Sequence, residues 1–459
     1  MNLLSNFSGQ GATSAVQLLI DGMGIRHAEK PPIVFCGPYE HHSNLIPWRE
    51  AGCRLVMIPE GQDGTVDLVN LRKHLQRYQA EPDCLKIGTF CAASNVTGKL
   101  TDTTAVAALL HNFGALAFFD YATAAPYIPM DMNPPPPSFG DDSVIASKDA
   151  IFISPHKCFG GGAGTPGVLV CKKHLLSQVN PPQRSGGGTV FYVTHSDHRF
   201  LSNRLERYEG GTPHVVGIWR TGLVMRLKQQ VELAYERLVK SSAESTSVPR
   251  TLVEYECQAY QTVANYWKEH APNLVLLGHD ENAHLPIFSF LVHCGERFLH
   301  YNYVCAILND VFGIQSRGGC QCAGPYSQRL LGLTTITSEN EEVPSTINRR
   351  LEHALVQYKE RAELLRPGYT RLSLPFKGLR QAEADYVMRA VAWVAKHGWA
   401  LMCQYRCNHR TGEVSNFFND ECELYDISIK CVLLCIILLC SGDTVIVKGN
   451  RLVARNADG

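Results

Sequence analysis

Between residue 11 and about residue 171, short apolar runs alternate with stretches of helical periodicity, and most runs end in turn or polar residues. The runs 33–36, 54–58, 85–91, 115–119, 151–154 and 168–171 read as strands, and 13–23, 66–78 and 103–113 as helices between them. Such alternation predicts an α/β fold in which helices wrap a mostly parallel sheet. In such sheets ligands gather beyond the carboxyl ends of the strands, so the polar residues that follow each run are the first candidates for chemistry.

The proline run at 134–137 predicts a surface loop, and Pro181-Pro182 with the glycines at 186–188 predicts an irregular excursion. Beyond Pro213 the pattern lengthens into one helix at about 216–239 and then changes to the apolar segments 273–277 and 287–292. That change predicts a large domain over 1–230, a small α+β domain over 231–409 and an irregular tail over 410–459.

Composition narrows the function. The 459 residues are 45% hydrophobic and 19% charged, and 43 Lys and Arg balance 43 Asp and Glu. A globular chain with no net field has no electrostatic reason to bind nucleic acid or an anionic membrane. The apolar stretch 431–440 is far shorter than the ~20 residues of a helical span and predicts a buried strand or a misread gene end. Seventeen cysteines, several inside strand-like runs, predict reduced thiols and an intracellular, cytoplasmic setting. Residues 1–9 lack the basic start and apolar core of a signal peptide.

Lys157 follows an apolar run directly, with His156 beside it and glycines behind, where partial desolvation would leave a neutral amine able to form a Schiff base. Asp120 ends another apolar run. A strand-end carboxylate and a strand-end lysine are what pyridoxal phosphate requires, the first to keep its ring nitrogen protonated and the second for its aldehyde carbon. Each alone also reads as a turn residue or helix cap. The small residues 8–14, ahead of a helix, would form a phosphate cup from backbone amides and the Thr13 hydroxyl, or a plain cap. An imidazole from Tyr39-Glu-His-His-Ser-Asn44 could lie on a planar ring; a metal is the weaker reading, because no third ligand lies at helical spacing.

Two rival readings fail. The glycines of 162–167 match a dinucleotide fingerprint but run into a strand through Pro166 instead of opening a helix. Cys403, Cys407 and His409 lack a fourth ligand, and the four-residue spacing of Cys403 and Cys407 is that of a helix-packed pair of thiols, so no metal is expected.

The motifs Glu40-His-His-Ser-Asn44, Ser94-Asn-Val-Thr-Gly98, Asp120-Tyr-Ala122, Ser154-Pro-His-Lys157, Glu209-Gly-Gly-Thr-Pro213, Cys320-Gln-Cys-Ala-Gly-Pro325 and Thr370-Arg-Leu-Ser-Leu374 occur in one order. In that order the chain resembles the class V aminotransferases, and within them the cysteine desulfurase branch of the fold-type I pyridoxal-phosphate enzymes, over roughly residues 9–376.

The resemblance implies roles. Lys157 would hold the cofactor and move the α-proton, Asp120 would pair with the ring nitrogen and His41 would stack on the ring. Asn95 would bond the ring oxygen or the substrate carboxylate, and Arg371 would clamp that carboxylate through its fork of donors. Ala12, Thr13, Ser154 and His156 would surround the phosphate, with Thr212 reaching in from the partner of a homodimer. Cys322 matches the thiolate that takes sulfur from bound cysteine, which an acceptor protein would then receive. The chemistry implied is conversion of L-cysteine to alanine. The alternatives are an aminotransferase or lyase in which Cys322 is a structural thiol, and a non-catalytic remnant. Thr123 stands where the family usually has glutamine, and the family's N-terminal arm is expected to be missing ahead of Gly11.

Overall fold

A computed structural model describes residues 3–134, 146–177, 181–182, 184–241, 249–336, 342–357, 363–416, 444–448 and 451–455. Pro135 to Pro137 of the proline run, the apolar stretch 431–440 and most of the expected tail lie outside the described residues. The chain divides into two compact units, Met1–Ser94 with Lys99–Tyr255, and Asn95–Gly98 with Glu256–Gly459.

The first unit is built on a sheet of β1 (Leu3–Ser8), β2 (Ile33–Cys36), β3 (Arg54–Met57), β4 (Lys86–Cys91), β5 (Leu116–Asp120), β6 (Ala150–Ile153) and β7 (Gly167–Lys172), in the order β1-β7-β6-β5-β4-β2-β3. From β3 across to β6 every neighbouring pair is parallel, and β7 and β1 are antiparallel additions at one edge. Helices α1 (Gly11–Gly22), α2 (Ile46–Glu50), α3 (Leu68–Arg77) and α4 (Thr103–Asn112) lie between the strands in sequence. Strands β2, β4 and β6 are buried along their whole length; in β2 and β6 this accounts for unbroken apolar runs, whereas β4 buries Lys86 and Thr89, which donate to Glu81 O and Asn44 Oδ1.

Strand β1 is absent from the sequence-based expectation, because Ser5, Asn6 and Ser8 break its apolar pattern. Six consecutive pairings with β7 hold it, from Leu3 opposite Lys172 to Ser8 opposite Gly167. This edge starts α1 at the carboxyl end of the parallel strands. Ala15, Val16, Leu19 and Ile20 of α1 pack with Val34, Phe118, Phe152 and Leu169 of the sheet, which fixes the helix axis and hence the place of its N-terminus.

The excursion expected to be irregular contains a hairpin, β8 (Val190–Val193) with β9 (His198–Phe200). Its turn is closed by Thr194, whose N–H and hydroxyl both donate to Asp197 O. It is followed by α5 (Arg204–Arg207) and α6 (Val215–Ser241).

The second unit has an antiparallel sheet in the order β10-β11-β16-β13, comprising β10 (Leu274–Leu276), β11 (Ile287–Cys294), β13 (Arg317–Gly319) and β16 (Tyr369–Ser373), with β12 (Arg297–Phe298) paired to β11. Its helices are α7 (Leu252–His270), which begins in the first unit, α8 (Tyr301–Phe312), α9 (Gly324–Leu330), α10 (Thr346–Gln357) and α11 (Gln381–His397). Trp267 of α7 is buried edge-on against Phe288 and donates to Met388 O of α11 at 3.0 Å, tying helices and sheet together. Three ribbons complete the description: β14 (Thr334–Ile336) with β15 (Glu342–Pro344), β17 (Tyr405–Cys407) with β18 (Val414–Asn416), and β19 (Thr444–Lys448) with β20 (Arg451–Arg455) within the tail.

Candidate active site

The first unit gathers the residues expected to hold the cofactor. Gly11 opens α1 at φ +63°, and a Cβ there would lie 2.9 Å from His156 Cε1 and 3.1 Å from Ser154 Oγ. The Ala12 N–H donates to Ser154 Oγ at 2.8 Å, so strand β6 and the first turn of α1 share one cradle. Thr13 Oγ1 bonds Ser43 Oγ at 2.7 Å, and the Ser43 N–H donates to His41 Nδ1 at 3.0 Å. Ala12, Thr13, His41, Ser154 and His156 thus form one connected set, with Ser43 a member the sequence reading missed. Its only signal there is its place in the motif beside His41.

Asp120 ends β5 with its side chain buried and accepts the Ala122 N–H on Oδ1 at 2.7 Å. Burial raises its carboxyl above the ordinary range, while the positive charge of Lys157 and the Ala122 N–H pull it back. Lys157 itself is exposed, contrary to the expectation of a desolvated amine, because the strand stops at Ile153 and a single turn, Pro155–Lys157, carries the lysine outward. His156 is held below the usual histidine range by burial and then by the Lys157 charge.

Glu40 is a second missed residue. Fully enclosed, it accepts the Cys91 N–H on Oε1 at 2.8 Å and Asn44 Nδ2 on Oε2 at 2.6 Å, and Asn44 Oδ1 in turn accepts from Thr89 Oγ1 at 2.7 Å. The residue before His41 is thereby bolted to β4, next to the strand that carries Asp120. Thr212 is exposed and lines a cavity of about 280 Å³ with Gly9, Arg184, Glu209 and His214.

The second unit holds Asn95, Arg371 and Cys322. Ser289 of β11, Arg371 of β16 and Arg317 of β13 are cross-strand neighbours at one level of the sheet. Arg371 Nη1 donates to Asn95 O at 3.0 Å, and Asn95 Nδ2 to Gln321 O at 2.7 Å. Asn95 Oδ1 and Gln321 Oε1 are buried acceptors with no partner. Gln321 and Cys322 have φ of +56° and +58°, the two non-glycine residues with positive φ among those described. This turn is pinned by Gln321 Nε2 donating to Arg317 O at 3.1 Å, and it leaves Cys322 half-buried with its Sγ 3.8 Å from Arg317 Nη2. Cys403 and Cys407 fall outside α11 and lie in a short turn and β17, and no cluster of three metal-binding side chains occurs among the described residues.

The sequence pattern described as Aminotransferase class-V matches residues 9–336. The chain belongs to the class-V aminotransferase family. Enzymes of this family depend on pyridoxal phosphate, so the chain is a pyridoxal-phosphate-dependent enzyme. The α1 cradle and the buried Asp120 fit a phosphate and a protonated ring nitrogen. A cysteine desulfurase of Klebsiella pneumoniae is 26% identical over 324 residues, covering 70% of this chain and 69% of that protein. A probable cysteine desulfurase of Halalkalibacterium halodurans is 25% identical over 325 residues, with the same shares. Among solved structures, cysteine desulfurases of Thermococcus onnurineus and Escherichia coli superpose with TM-scores of 0.60 and 0.58, each 19% identical and each covering 86% of this chain and 79% of the other. They establish the fold as fold-type I. No helix among the described residues is long and apolar enough to cross a membrane.

Proposed function

We propose that this enzyme transfers sulfur from L-cysteine to Cys322, releasing alanine. The observation that carries the reading is the presentation of Cys322 in a pinned left-handed turn beside Arg317, within the same unit as the Arg371–Asn95 pair. Arg317 and Arg371 face each other across two strands, an arrangement of like charges that a bound carboxylate offsets. Arg371 and Asn95 hold the amino acid's carboxylate. Lys157 holds the cofactor and moves the proton at the substrate's α-carbon, and His41 supports the ring face. Ala12, Thr13, Ser154 and His156 hold the phosphate, and Asp120 keeps the ring nitrogen protonated. Pyridoxal phosphate supplies the electron sink. The Cys322 thiolate attacks the substrate sulfur, forming a sulfur–sulfur bond as the carbon–sulfur bond breaks, and leaves a persulfide for a thiol of an acceptor protein.

A homodimer is part of the reading. Val215, Val216, Trp219 and Leu223 form an exposed apolar stripe on α6, and Phe191 and Tyr192 of β8 are also exposed. Such surface supports association with a second copy, to which Thr212 would contribute.

Incubation with L-cysteine should yield alanine and, with a reductant, equal sulfide. Cys322→Ser should abolish both while leaving the visible band of the lysine-bound cofactor intact, and Lys157→Ala should remove that band. Full turnover in Cys322→Ser would overturn the sulfur-transfer reading.

A further inference from the structure

The tetrapeptide Asn95–Gly98 leaves the first unit after β4, its base closed by the Ser94 N–H donating to Lys99 O at 2.8 Å, and belongs to the second unit. Each of its four carbonyls accepts a hydrogen bond from a different residue there. Arg371 Nη1 donates to Asn95 O at 3.0 Å, Ser289 Oγ to Val96 O at 2.6 Å, His284 Nδ1 to Thr97 O at 2.7 Å and the Leu285 N–H to Gly98 O at 2.8 Å. Gly98 sits at φ +73°, where a Cβ would lie 2.1 Å from Leu285 O, so the backbones are as close as the chain permits.

Of the four donors, His284 has the most support. It is fully buried. Its Nε2 bonds Asp280 Oδ1 at 2.8 Å, and its ring stacks on Tyr260 at 4.7 Å with 9° between planes; Tyr260 stacks in turn on Phe288 of β11 at 4.8 Å. The Thr97 carbonyl and the Asp280 carboxylate can only accept, so Nδ1 donates to the first and Nε2 to the second, and Asp280 and the aromatic stack hold the ring where the Nδ1 proton meets the carbonyl. A buried carbonyl left without its donor costs more than the bond was worth, and the tetrapeptide would move to recover one.

We propose that His284, oriented by Asp280, is a positioning residue that sets the place of Asn95 and thereby the enzyme's affinity for the amino-acid carboxylate. This rests on the assignment of Asn95 and Arg371 to that carboxylate.

The test uses the cofactor-loaded enzyme with His284→Phe, which keeps a stacking ring and removes the donor, Asp280→Asn, and Arg371→Ala as the reference for loss of the carboxylate site. In His284→Phe, the dissociation constant for L-alanine, measured by calorimetry, should rise about tenfold, as should KM for L-cysteine, with kcat within a factor of about three. The visible cofactor band should be unchanged. In the cofactor-free protein, hydrogen exchange over residues 93–100 should accelerate. If Arg371→Ala loses affinity and His284→Phe does not, the positioning role is overturned. If Arg371→Ala binds L-alanine normally, the carboxylate assignment fails, and the exchange rate alone decides whether His284 clamps the segment: unchanged exchange overturns it. Should His284→Phe not fold, Asp280→Asn is read by the same criteria at a smaller expected change.

Discussion

Glu40 is 3% exposed, and burial pushes its carboxyl up to about 8 despite the N–H donors of Cys91 and Asn44, with the negative charge of Asp120 acting in the same direction as burial. The folded state therefore holds a proton that the unfolded chain, at its ordinary 4.5, has released. Between these two values the native protein binds more protons than the unfolded one, so this residue's contribution to stability falls as pH rises from about 4.5 to about 8, with a limiting slope of about 1.4 kcal/mol per pH unit. Glu40→Gln keeps an acceptor for Cys91 without the ionisation, so its urea midpoint should rise relative to the parent as pH approaches 8. Coincident pH curves would contradict this. At this scale Lys157 and Asp120 stand out in the sequence because each follows or ends an apolar run, whereas Ser154 is marked only by its place in the motif before Lys157. Glu40 and Gln321 do not stand out, because their partners are 51 and 226 residues away in sequence and a left-handed glutamine carries no compositional mark.

The cradle at the start of α1 depends on two backbones approaching closely. A Cβ at Gly167, the first residue of β7, would fall 1.8 Å from Gly11 O. Gly167→Ala should therefore push the first turn of α1 off Ser154 and weaken retention of pyridoxal phosphate at least about tenfold, while α1 stays seated through Val16 and Leu19. Titration of the cofactor-free variant with pyridoxal phosphate measures this, and an unchanged dissociation constant would refute it. The buried strands could be read from sequence, since continuous burial writes itself as continuous apolar residues. Strand β1 and the β8–β9 hairpin could not, because an edge strand and an exposed ribbon owe their form to partners and turn bonds instead of apolar content.

For the whole molecule, Trp219 at 76% exposure and Phe191 at 77% mark apolar surface that a soluble monomer rarely carries. If the proposed homodimer forms through this surface, Trp219→Glu should shift the protein from dimer to monomer in analytical ultracentrifugation with little change in the monomer's fold; a parent that sediments as a monomer, or an unaltered profile in the variant, would contradict it. The division into units was only partly legible. Helix α6 runs from Val215 to Ser241 within the first unit, through the position where the changed pattern suggested a boundary.

The tetrapeptide Asn95–Gly98 also bears on how the protein is made. A ribosome delivers Asn95 long before Arg371, 276 residues later, and at about 5–20 residues per second that interval is on the order of 10–60 s. The loop after β4 emerges without the donors its carbonyls will bond, so water must serve until Leu285, Ser289 and finally Arg371 arrive. The second unit thus begins with a tetrapeptide made long before the rest of it, and its completion is timed by the second half of the message.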